Sequence, residues 1–132
     1  MSKIVTTYLG DGEAESFYPE VGEKIFTDLP LDNGGKGRKF SATDIFTASL
    51  AACIVTIMGK MAESRGDSLK GAKIEIEKIM ESNPRRIGKF IIDIIFPEGI
   101  SKEKMEMYSK VIHTCPVHNS IHPDIKVEVN IK

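Results

Sequence analysis

The stretch Ser41–Arg65, SATDIFTASLAACIVTIMGKMAESR, decides how the rest of the chain is read. From Ile45 to Met61 its only charge is Lys60, and apolar or small residues fall on every side. A helix that is apolar all round belongs in a core rather than on a surface. At ~1.5 Å per residue it runs roughly 35 Å, about the width of a small domain. Thr47, Ser49, Thr56 and Gly59 punctuate it, so it reads as too short and too polar for a membrane span of ~20 clean apolar residues. Ser41 followed by Asp44 makes a capping-box-like start, with a carboxylate in the first turn where the helix dipole favours it. Arg65 and Gly66 mark the stop. Near its middle sits Cys53, and a thiol inside a buried helix is most often only a small hydrophobe.

Outward from this helix, 132 residues amount to one domain, 1–132, long enough for a real core. Apolar residues at 41%, charged residues at 28% and a net charge of −1 describe an ordinary soluble protein. No basic patch is interleaved with aromatics, which speaks against nucleic acid, and no membrane partner is expected. The N-terminus MSKIVTTYLGDGE has no apolar signal core, so a cytoplasmic location is the expectation. Two cysteines 62 positions apart, Cys53 and Cys115, form neither a CxxC metal pair nor a secreted disulfide framework.

Before the helix, Lys3–Leu9, Glu13–Tyr18 and Glu23–Thr27 read as short strands, with a hairpin turn at Gly10-Asp11-Gly12. The loop from Asp28 to Lys39 brings Lys36, Arg38 and Lys39 to the helix start. It lacks the phosphate-loop spacing and reads as a solvated loop. After the helix, Leu69–Glu81 and Gly88–Phe96 make a long hairpin broken by Ser82-Asn83-Pro84. A second helix runs from Lys102 to about Thr114, with Met105, Tyr108, Val111 and Ile112 inward. Ile125–Ile131 alternates as a closing strand. The order is βββ-α-ββ-α-β, an α+β architecture with antiparallel strands segregated from the helices.

The second informative stretch is His113–Pro123, HTCPVHNSIHP. Pro116 suits the first position of a new helical turn, which puts Cys115 at its N-cap. Backbone N–H groups there favour a thiolate over a thiol. The same stretch supports a rival. Cys115/His118 and His118/His122 stand at i,i+3 and i,i+4, a spacing that suits zinc, with His113 as a further ligand.

ATDIFTASLAAC, with Asp44 nine residues ahead of Cys53, resembles the helix of the OsmC/Ohr family, and HTCPVHNSI is similar to that family's second cysteine signature. The order of elements matches across essentially the whole chain. The resemblance implies an intertwined OsmC-like homodimer with a long buried central helix and a thiol-dependent peroxidase acting on organic hydroperoxides. By position Cys53 is the peroxidatic nucleophile and Cys115 the resolving thiol. No cofactor is implied beyond an external dithiol reductant. The family's nucleophile is activated by an arginine held by a glutamate. The strands through Thr27 contain no arginine, so Arg38 is the nearest candidate, while Asp44 stands at the glutamate position with a shorter side chain. Nine helical residues place Asp44 ~13 Å along the axis from Cys53, so its help calls for a partner subunit or a bend. A non-catalytic dimer that keeps the fold without the activating cation is the other reading.

Overall fold

The computed structural model describes residues 2–132, and the chain divides into two compact units, 1–46 and 47–132. In the first unit, β1 (Val5–Gly10), β2 (Glu13–Tyr18) and β3 (Glu23–Asp28) form an antiparallel meander in that order. The β1–β2 turn is made where the sequence places it. Gly10, Asp11 and Gly12 all have positive φ (88°, 55° and 83°), a conformation that glycine, and next to it Asx residues, adopt most readily. The loop after β3 contains one short 3-10 turn, Leu31–Asn33, and folds back on Leu29. A Cβ at Gly35 would lie 2.0 Å from the Leu29 carbonyl oxygen, so only glycine permits that approach. The sheet leaves Val5, Tyr8, Ile25 and Phe26 exposed.

Helix α1 (Ala42–Ser64) starts on the predicted cap. The Ser41 N–H donates to Asp44 Oδ2 at 2.9 Å, and the Asp44 N–H donates to Ser41 Oγ at 3.1 Å. This reciprocal pair satisfies two backbone donors at the helix start. At the other end Gly66 takes φ 82° and the Asp67 N–H reaches the Ala62 carbonyl at 2.9 Å, closing the last turn. The helix has 23 residues and an 18-residue window of mean hydropathy 1.7, long and apolar enough by that test to cross a membrane. The expectation that it is too short is therefore corrected. What ties it to protein is a stripe at every fourth residue, Leu50, Ile54, Met58 and Ala62, each fully buried. Burying such a side chain contributes about 1.5–3 kcal/mol for the larger three.

The stripe packs within the second unit. There β4 (Lys73–Glu81) pairs antiparallel with β5 (Arg86–Ile95), and β5 pairs with β6 (Lys126–Ile131). Phe90, Ile92 and Ile94 point from β5 into the core and have essentially no exposed surface. The expected all-antiparallel sheet is corrected: β6 runs parallel to β5. A parallel neighbour needs a crossover of a dozen residues or more, and the helical segment between the two strands provides it. The helical turn expected from Pro116 is present, while the helix expected over Lys102–Thr114 tightens in its second half. α2 (Lys102–Ser109) gives way to a 3-10 stretch, Lys110–Thr114, before α3 (Pro116–Ser120). Val111 and Ile112 of the 3-10 stretch lie in the core with Tyr108, all three buried. The antiparallel hairpin and the βββ-α-ββ-α-β order are as the sequence indicates.

Candidate functional site

Cys53 lies halfway along α1, between the buried Leu50 and Ile54, and is itself half-buried. Cys115 lies in the crossover between β5 and β6 and is fully buried. Its position is set locally. Pro116 ends the 3-10 stretch and opens α3 at its first position, which leaves Cys115 as the N-cap in extended geometry (φ −72°, ψ 119°). The His118 N–H donates to Cys115 Sγ at 3.5 Å. Both cysteines are free thiols, and Cys53 is near enough to Cys115 to act on its ionisation. Sixty-two residues apart in sequence, they form one dithiol.

The electrostatics of Cys115 run against the reading of its N-cap as a thiolate site. Burial pushes its thiol above the ordinary range, and the neighbouring Cys53 thiol pushes it further. The N–H groups of His118 and Val117 do favour the anion, as the helix-start argument holds, but they are outweighed. Removing a charge from water costs more than two backbone donors return here. Cys115 therefore stays protonated near neutral pH.

The frame that brings the cysteines together includes a polar clasp that sequence reasoning missed. Asp67 follows α1 directly, and Tyr108 sits on α2 ahead of Cys115. The fully buried Tyr108 donates its hydroxyl proton to Asp67, and Lys104 Nζ reaches the same carboxylate at 3.1 Å. The tyrosine and lysine contacts hold Asp67 below the usual carboxylate range, and the carboxylate in turn raises Tyr108. The only sequence signal was a carboxylate just past a helix-ending glycine.

The other two predicted residues belong to the first unit. Arg38 is gripped by acids. Its Nε lies 2.8 Å from Asp28 Oδ2 and its Nη2 3.2 Å from Asp28 Oδ1, a two-pronged pairing. Nη1 meets Asp11 Oδ2 at 3.2 Å, and Nη2 stands 3.5 Å from Glu13 Oε1. Asp28 is buried, and hydrogen bonds from the Arg38 guanidinium and backbone N–H lower its carboxyl to about 2. The arginine is raised above its ordinary value by the same carboxylate. In sequence Asp28 reads only as the first residue of a loop, so its part in fixing Arg38 was not legible. Asp44 caps α1 through Ser41, as described above.

The zinc spacing does not assemble. His122 Nδ1 accepts the Asp124 N–H at 3.0 Å, and among the described residues no three His, Cys, Asp or Glu side chains converge as a metal site.

The sequence pattern of the family described as OsmC-like protein matches residues 35–130, which takes in both cysteine stretches and crosses the division between the two units. The chain belongs to the OsmC-like protein family. This OsmC-like chain superimposes with a TM-score of 0.95 on a Psychrobacter arcticus protein whose structure is named for an osmotic stress induced and detoxification response. The two are 36% identical, over 100% of this chain and 96% of that one. It shares its fold with an organic hydroperoxide resistance protein OsmC from Legionella pneumophila, at TM-score 0.78 and 18% identity over 98% and 96% of the two chains. The organic hydroperoxide resistance protein OhrB of Bacillus subtilis has the same fold, at TM-score 0.72 and 16% identity over 100% and 98%. No curated protein matches the chain.

Proposed function

We propose that this OsmC-like protein is a cysteine-based peroxidase that reduces organic hydroperoxides with Cys53 as nucleophile and Cys115 as resolving thiol. The observation that carries the reading is the asymmetric dithiol: two free, neighbouring thiols, Cys53 half-buried and Cys115 wholly buried with its pKa raised by burial and by Cys53. In the first step Cys53 sulfur attacks the terminal oxygen of ROOH. The O–O bond breaks, sulfur is oxidised to the sulfenic acid, and the alkoxide leaves and takes up a proton as ROH. In the second step Cys115 gives up its proton and its sulfur displaces the sulfenic oxygen, which departs as water and leaves a Cys53–Cys115 disulfide. An external dithiol reduces that disulfide by exchange and is itself oxidised. Apolar side chains around Cys53 (Leu50, Ile54, Ile57) suit an alkyl tail better than a small polar peroxide.

The cation we propose for the thiolate is Arg38, the arginine that precedes α1, and buried Asp28 holds its guanidinium in a two-pronged pair. The working form in this reading is a homodimer in a reducing cytoplasm. Ala48, Ala52 and Thr56 form an exposed stripe of small residues on α1, which allows a second helix to approach closely. A three-stranded sheet exposing Val5, Tyr8, Ile25 and Phe26 likewise calls for a cover.

Mass spectrometry after one equivalent of cumene hydroperoxide tests the chemistry. The unmodified protein is expected to lose two hydrogens and yield a Cys53–Cys115 linked peptide. If both thiols remain free while the peroxide persists, the peroxidase reading is wrong and the non-catalytic dimer takes its place.

A further inference from the structure

A cavity of about 270 Å³ lies between the helical crossover and strand β6, and nothing in the peroxide chemistry uses it. Its apolar side is Ile112 with Val127, Val129 and Ile131 of β6. These β6 residues stand opposite Phe90, Ile92 and Ile94, which are buried, so they belong to the core-facing side of the sheet. Yet Val129 and Ile131 remain 37% and 38% exposed. The other side is cationic and polar, with Lys110, His113 and His118. The rings of His113 and His118 meet edge to face with centroids 6.4 Å apart. His118 Nδ1 is buried and has no hydrogen-bond partner, an arrangement that is uncommon because an orphaned polar atom carries its full desolvation penalty.

We infer that this cavity binds a short aliphatic monocarboxylate, with the chain over Val129 and Ile131 and the carboxylate between Lys110 and His118. A carboxylate there sets an acceptor beside His118, whose Nδ1 has no hydrogen-bond partner. The class follows from what each side accepts. Four branched aliphatic side chains exclude a phosphate or sugar, and a lysine beside two histidines favours an anion over an alcohol. The volume lies near the lower limit for ligand cavities, roughly 300 Å³, which selects a short chain over a membrane fatty acid.

The test follows methyl and histidine-ring resonances of the full chain during titration with sodium octanoate, beside 1-octanol and inorganic phosphate. Octanoate is expected to give saturable shifts at Val129, Ile131 and His118, and the two controls none. Lys110→Glu is expected to weaken octanoate roughly tenfold, about 1.4 kcal/mol, while Cys53 alkylation keeps its rate. Three results overturn the proposal: no saturable shift, equal binding of octanol, or shifts centred on Cys53. So does cross-saturation of the Val129 and Ile131 methyls by a differently labelled second copy, since the cavity is then a subunit interface. None of these outcomes depends on whether the protein reduces peroxide.

Discussion

Replacing Cys115 by serine separates structure from chemistry at the dithiol. Cys115 has no exposed surface, so the new hydroxyl is buried. An unsatisfied buried hydroxyl costs about 1–3 kcal/mol in proteins. Here the His118 N–H, 3.5 Å from the present sulfur, remains as a donor to the serine oxygen. The expected cost is therefore at the low end, about 1–2 kcal/mol, and the melting temperature falls by roughly 3–10 °C at fixed protein concentration. Cys115→Ala introduces no hydroxyl and serves as the packing control. The chemical outcome is independent of that loss. Cys115→Ser is expected to consume about one equivalent of cumene hydroperoxide per subunit and stall as a Cys53 sulfenic acid that dimedone traps. Cys53→Ser is expected to consume none, because a serine hydroxyl is hardly ionised near neutral pH. Folded Cys115→Ser that consumes no peroxide refutes the independent first step. Turnover at the unmodified rate with a dithiol refutes the resolving role.

Arg38→Ala is expected to slow alkylation of Cys53 by iodoacetamide at pH 7 several-fold, with Arg38→Lys intermediate. An unchanged rate moves the cation's role to Arg85 or Arg86, or to no residue. The Asp28–Arg38 pair sets an acid limit on the first unit. The folded Asp28 carboxyl lies at about 2 against an ordinary 3.8, so its stabilisation is complete above about pH 4 and is lost as pH falls through about 2. The Arg38 Nε–H resonance followed by acid titration is expected to change in that window, and Asp28→Asn should remove the dependence. In solution the mass is expected near twice 14.6 kDa by light scattering. Ala52→Arg, placed on the exposed face of α1, should return it to the single-chain value, and a monomeric unmodified protein sinks the dimer.

Much of this protein was legible from neighbours in sequence. The Ser41/Asp44 cap, the Gly10-Asp11-Gly12 turn and the Cys115-Pro116 helix start all depend on interactions within four residues, so the sequence by itself determines them. The two cysteine stretches likewise carry enough local pattern to indicate the family. The direction of β6 was not legible, because alternation of apolar and polar residues is the same in parallel and antiparallel strands. The tightening of the second helix into a 3-10 stretch at Lys110–Thr114 was not legible either, although Val111 and Ile112 are buried as their apolar character indicates. The state of Cys115 turned on burial, which overrides the local pull of two N–H groups and depends on the whole unit packing around the thiol. Arg38 took its partners from Asp11, Glu13 and Asp28, residues ten or more positions away that only the meander of β1–β3 brings to it. The tertiary structure alone placed Cys53 against Cys115, because contact between residues 62 apart arises from packing α1 and the crossover into one core.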